Sequence, residues 1–120
     1  MDTLENKKSA PPVEDPVPIK AVHHVELWVG NAKQATYYYC NAFGFSQLAY
    51  SGLETSNRDY ASYVLSQGNI RLVLSTPLNS GNGMTNHLMA HGDGVRDVAF
   101  HVDDVDACFE VMIERGAQAV

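Results

Sequence analysis

Two stretches of this chain carry nearly the same pattern. Val22-His23-His24-Val25-Glu26-Leu27-Trp28-Val29-Gly30-Asn31 opens a strand-then-helix unit that closes near Phe43-Gly44-Phe45. Val95-Arg96-Asp97-Val98-Ala99-Phe100-His101-Val102-Asp103-Asp104 opens a second, which closes near Arg115-Gly116-Ala117. The copies stay in register through the strand and need about one residue of gap in the helix, the mark of a duplicated module rather than a short solenoid repeat. Three further strands follow the first copy, whereas the second reaches Val120 just after its helix. The expectation is therefore a pair of modules, the second truncated after its helix: a fragment, or a domain completed by something else.

A chain of 120 residues holds one domain at most. Its formal charge of −6 argues against a nucleic-acid or anionic-membrane surface, because phosphate binding needs clustered Lys and Arg. No apolar run approaches the roughly 20 residues of a membrane span, and residues 1–18 contain no apolar core of a secretory signal. Cys40 and Cys108 have a spacing that fits neither a zinc motif nor a disulfide framework. They read as small, reduced core residues of a cytoplasmic protein.

Residues 1–18 mix charge with four prolines and read as a flexible leader. From residue 21 to 29 the pattern alternates, with Val25, Leu27 and Val29 on one face and His24, Glu26 and Trp28 on the other. Asn31 is the N-cap of a helix over 32–43 that stops at Gly44, and Ala35, Tyr38, Tyr39 and Ala42 form its sheet-facing side. Strands follow at 45–51, 60–66 and 70–76, the last two joined by the tight turn Gln67-Gly68-Asn69. The first module, 19–76, is thus β-α-β-β-β. A connector, 77–94, holds a short helix over 86–91 capped by Thr85. The second module, 95–120, supplies a strand to Val102 and a helix capped by Asp103 or Asp104, with an apolar stripe of Val105, Phe109, Met112 and Ile113. Val25, Leu27, Val98, Phe100, Phe109 and Met112 are the expected helix–sheet core.

A repeated β-α-β-β-β module whose first strand reads His-Val-x-Leu-x-Val resembles the vicinal oxygen chelate superfamily (the glyoxalase and dioxygenase type). Within it the similarity is to the 4-hydroxyphenylpyruvate dioxygenase family, in its amino-terminal portion. Ala21 to Ala32, Tyr37-Tyr38-Tyr39, Phe43-Gly44-Phe45, Ala49 to Thr55, Ile70 to Leu74 and His91 to Phe100 carry the resemblance, which covers residues 19–120. It implies an α+β fold. It also implies an iron(II) enzyme of tyrosine catabolism that decarboxylates a 2-oxo acid and hydroxylates its ring to homogentisate. The family's iron sits on two histidines and a carboxylate of a carboxyl-terminal catalytic domain. No position here inherits a ligand role, and the chain alone is expected to be catalytically silent and to hold no cofactor. The implied partners are that second domain and further copies of the same protein. Two alternatives stand beside this reading: a fragment of hydroxymandelate synthase, or a metal-free small-molecule-binding module of the same fold.

The candidate site residues agree with that expectation. Metal-binding relatives place a ligand just before the Val of the first strand and a Glu in the fourth. His24 occupies the first position and is the one weak metal candidate, but residues 70–76 hold no carboxylate and the repeat has Asp97 instead of His. Catalytic metals take about three protein ligands, so His24 reads better as a hydrogen-bonded pocket or core histidine. His87 and His91 share a helical face at i,i+4 spacing with no carboxylate between them, and read as incidental. Tyr37-Tyr38-Tyr39 are spread around their helix, as core and surface residues. Glu26 beside Trp28 is either a general base in a cavity or a carboxylate paired with Arg71 or Arg96.

Overall fold

The computed structural model describes residues 17–120; residues 1–16 of the expected leader lie outside the described residues. The chain divides into two compact units, residues 21–101 in one, and residues 102–120 with the segment ending at Lys20 in the other. In chain order the elements are β1 (Ile19–Trp28), α1 (Ala32–Phe43), β2 (Ser46–Ser51), a 3-10 turn (Leu53–Thr55), β3 (Tyr60–Gln67), β4 (Ile70–Pro77), α2 (Gly83–His91), β5 (Gly94–Val102) and α3 (Val105–Glu114). The strands form one sheet in the order β2-β3-β4-β1-β5. Strand β4 runs parallel to β1, with Leu27 opposite Leu74 and Trp28 opposite Ser75. Strands β2, β3 and β4 form an antiparallel meander.

Local chemistry sets these boundaries. The Asn31 side chain accepts from the Gln34 amide, and Gly44, at φ 77°, lets its own N–H reach back to the helix carbonyls. Gly68, at φ 56°, supplies the first residue of the two-residue turn between Gln67 and Ile70. Against the sheet, α1 buries Ala32 and Thr36, and the core joins Val29, Ala32, Leu65 and Leu74. Leu65 and Leu74 are fully buried, so truncating either to Ala costs about 2–5 kcal/mol.

Several expectations need correcting. The buried side of α1 is Ala32, Ala35, Thr36, Tyr39 and Cys40, whereas Tyr38 and Ala42 are exposed. Small side chains let the helix lie close to the sheet, which rotates Tyr38 outward against Phe43. Helix α2 begins at Gly83, not at residue 86, because Asn82 rather than Thr85 accepts the capping amide. Thr85 spends its hydroxyl on the Asn79 carbonyl instead. Helix α3 is capped by Asp104. The expected core of the second module is largely uncovered: Val98 and Phe100 are 42% and 50% exposed, and Phe109 and Met112 are 54% and 40% exposed. Alternation and helical spacing mark a face as apolar, but burial also needs a layer to cover it.

Candidate functional site

Only one face of the meander is packed against α1; the other carries the polar residues. Strand alternation brings Glu26 and Trp28 of β1, Ser75 of β4 and Tyr60 and Ser62 of β3 to this open face. Glu26, Trp28, Tyr60, Ser75 and Met84 line a pocket of about 240 Å³. Ser75 is 1% exposed, so its hydroxyl must find partners within the protein. It donates to Glu26 Oε2 at 2.9 Å and meets Ser62 Oγ at 2.5 Å. Because the single Ser75 proton goes to the carboxylate, Ser62 is the donor in the second bond. The result is a directed chain, Ser62 to Ser75 to Glu26.

Trp28 organises the pocket's rim. The Arg96 guanidinium lies over the indole at 4.6 Å from the ring centroid, a favourable placement of a cation on an aromatic face. The ring of His87 meets Trp28 edge-on at 5.3 Å, and His91 lies 4.7 Å from His87. The i,i+4 histidines thus belong to an aromatic column running from Arg96 through Trp28. Neither Arg71 nor Arg96 forms an ion pair with Glu26 among the described residues; its partner is a serine. At the opening of β1, Arg71 reaches His23 Nε2 at 3.3 Å, and His23 Nδ1 meets His24 Nδ1 at 2.8 Å. His24 is half-buried and hydrogen-bonded through this pair. Tyr37 and Tyr38 are exposed, while Tyr39 packs into the core against Phe45.

The structure also joins groups that spacing did not connect. Asp93 Oδ1 accepts the Gly30 amide at 2.8 Å, and Thr76 donates to the Gly30 carbonyl. These bonds fasten the β1–α1 turn to the segment before β5 and to the end of β4. The shifted titrations lie away from the open face. The Tyr50 hydroxyl donates to Glu54 at 2.6 Å, which pushes the phenol up to about 12 and holds the carboxyl below its ordinary value. Tyr63 is raised by burial, with Glu54 adding to the effect.

A facial-triad iron needs two histidines and a carboxylate that converge. Among the described residues no three His, Cys, Asp or Glu side chains are grouped to hold a metal ion. His24 and Glu26 are successive on one strand face, and the residue paired with Glu26 on β4 is Val73. The open face therefore does not fit the iron that the family resemblance implies. What it offers is a hydrogen-bonded carboxylate between aromatic walls.

Comparison with known proteins agrees with the fold. Residues 23–120 match the family model described as the glyoxalase/bleomycin resistance protein/dioxygenase superfamily. The chain is 50% identical over 99 residues to a 4-hydroxyphenylpyruvate dioxygenase of Xenopus tropicalis, covering 82% of this chain and 25% of that protein. It is 50% identical over 98 residues to one of Dictyostelium discoideum, covering 81% and 27%. Among solved structures, a mutant of 4-hydroxymandelate synthase from Streptomyces coelicolor superposes with a TM-score of 0.81 at 32% identity, over 86% of this chain and 32% of that one. A methylmalonyl-CoA epimerase superposes at 0.70 with 25% identity, over 88% and 76%. The chain spans about a quarter of the length of the curated relatives it matches.

Proposed function

The chain belongs to the glyoxalase/bleomycin resistance protein/dioxygenase superfamily, and from that premise we propose that it is the amino-terminal, non-catalytic module of a 4-hydroxyphenylpyruvate dioxygenase-like enzyme. The observation that carries the reading is 50% identity to two such dioxygenases over about four-fifths of the chain, joined to an open face whose side chains do not form an iron triad. In this reading iron(II) belongs to the remainder of the enzyme, which converts 4-hydroxyphenylpyruvate to homogentisate in tyrosine catabolism. The module is a first β-α-β-β-β unit (19–76), a connector (77–94) and the strand and helix of a second unit (95–120). Its part is structural. The uncovered apolar residues Val95, Val98 and Phe100 meet the catalytic portion or another copy within a homo-oligomer. Two unpaired thiols, Cys40 and Cys108, suit a reducing, cytoplasmic setting. Among the described residues no helix is long and apolar enough to cross a membrane.

The test is product analysis. The whole protein encoded with this segment, loaded with iron(II) and given 4-hydroxyphenylpyruvate and oxygen, releases homogentisate, whereas the 120-residue chain releases nothing. 4-Hydroxymandelate as the product would favour the synthase, the second reading supported by the structural match at 32% identity. Turnover by the 120-residue chain alone would contradict a non-catalytic module.

A further inference from the structure

We propose a small-oxyanion site, for a phosphate or carboxylate group, in the cleft between the opening of β1 and the β3–β4 turn. His23, Ser66, Asn69, Arg71 and His101 line this cleft, which has a volume of about 270 Å³ and no carboxylate among its lining residues. The chain carries 14 acidic residues against 8 Lys and Arg, so a cationic cleft without a carboxylate is chemically distinct from most of its surface. Arg71 and His101 are both exposed and so accessible to a ligand.

The hydrogen bonds leave the charge available. A guanidinium only donates, so the Arg71 contact at 3.3 Å makes His23 Nε2 the acceptor. The proton of a neutral His23 then sits on Nδ1 and is donated to His24 Nδ1 at 2.8 Å. The two imidazoles form a neutral relay that orients Arg71 without cancelling its charge. One of five guanidinium N–H groups is thereby engaged, and no acidic group pairs with the rest among the described residues. A planar fork with free donors matches the paired oxygens of phosphate or carboxylate. The Asn69 amide, the Ser66 hydroxyl and the His101 ring line the same cleft and add hydrogen-bonding groups around it.

The chain is titrated with inorganic phosphate and, separately, with acetate, at constant ionic strength, while amide and imidazole resonances are followed by NMR. Saturable shifts at His23, Asn69, Arg71 and His101 with a Kd of about 1 mM or tighter are expected for at least one anion. Arg71→Gln should weaken binding about tenfold or more, and His101→Gln should weaken it less. Arg58→Gln, with the same change in charge elsewhere on the surface, should alter it by less than about twofold. Binding of phosphate alone assigns a phosphoester ligand; binding of acetate alone assigns a carboxylate. Non-saturating shifts with both anions, or equal binding by Arg71→Gln with unchanged thermal melting, would overturn the site.

Discussion

Ser75 is the residue on which the open face turns, because it is buried yet serves both Ser62 and Glu26. Ser75→Ala strips the Glu26 carboxylate of its donor and Ser62 of its acceptor, and should destabilise the chain by about 1–3 kcal/mol in denaturant melts. Thr36 presents the reverse case. Its hydroxyl is buried without a partner, so Thr36→Val, which keeps the shape, should be neutral or stabilise by up to about 1 kcal/mol. Tyr50 and Glu54 report on pH. Because the Tyr50 phenol is raised from 10.0 to about 12, its contribution to stability is complete below pH 10 and lost as pH rises towards 12. The Glu54 carboxyl is lowered by the same bond, so its contribution is present above its ordinary 4.5 and lost as pH falls through the lowered value. Ultraviolet titration should show the Tyr50 and Tyr63 phenols titrating late, and Glu54→Gln should return Tyr50 towards 10.

Among the elements, both ends of α1 were legible from Asn31 and Gly44, but its buried face was not, since Tyr38 and Ala42 turn out exposed. Helix α2 was not, since Asn82 and Thr85 are both good caps and only the backbone approach of Asn79 decides between them. The site shows the same division. The Gly68 turn pins the β3–β4 hairpin, and counting back from it sets Ser62 opposite Ser75. Glu26 meets Ser75 only through the parallel register of β1 and β4, which two intervening strands separate in sequence. The place of Arg96, on Trp28 rather than on Glu26, depends on β5 lying beside β1. Strand β5 also shows why an apolar pattern does not guarantee a core. With Phe100 half exposed, Phe100→Ala should cost this chain less than about 1 kcal/mol, against the roughly 3–5 kcal/mol of a fully buried site. Leu74→Ala, in the covered core, should cost about 2–5 kcal/mol in the same melts.

The whole molecule joins a superfamily fold to an open face whose described residues do not assemble an iron triad. The uncovered apolar side chains of β5 should make the 120-residue chain self-associate, and light scattering should show Phe100→Ser to be closer to monomeric than the parent. Anaerobic calorimetric titration of the chain with iron(II) tests whether the residues of the open face hold the metal. No stoichiometric site of micromolar affinity is expected; such a site would correspond to about 8 kcal/mol. A one-to-one site of that affinity, abolished by His24→Ala, would contradict this expectation.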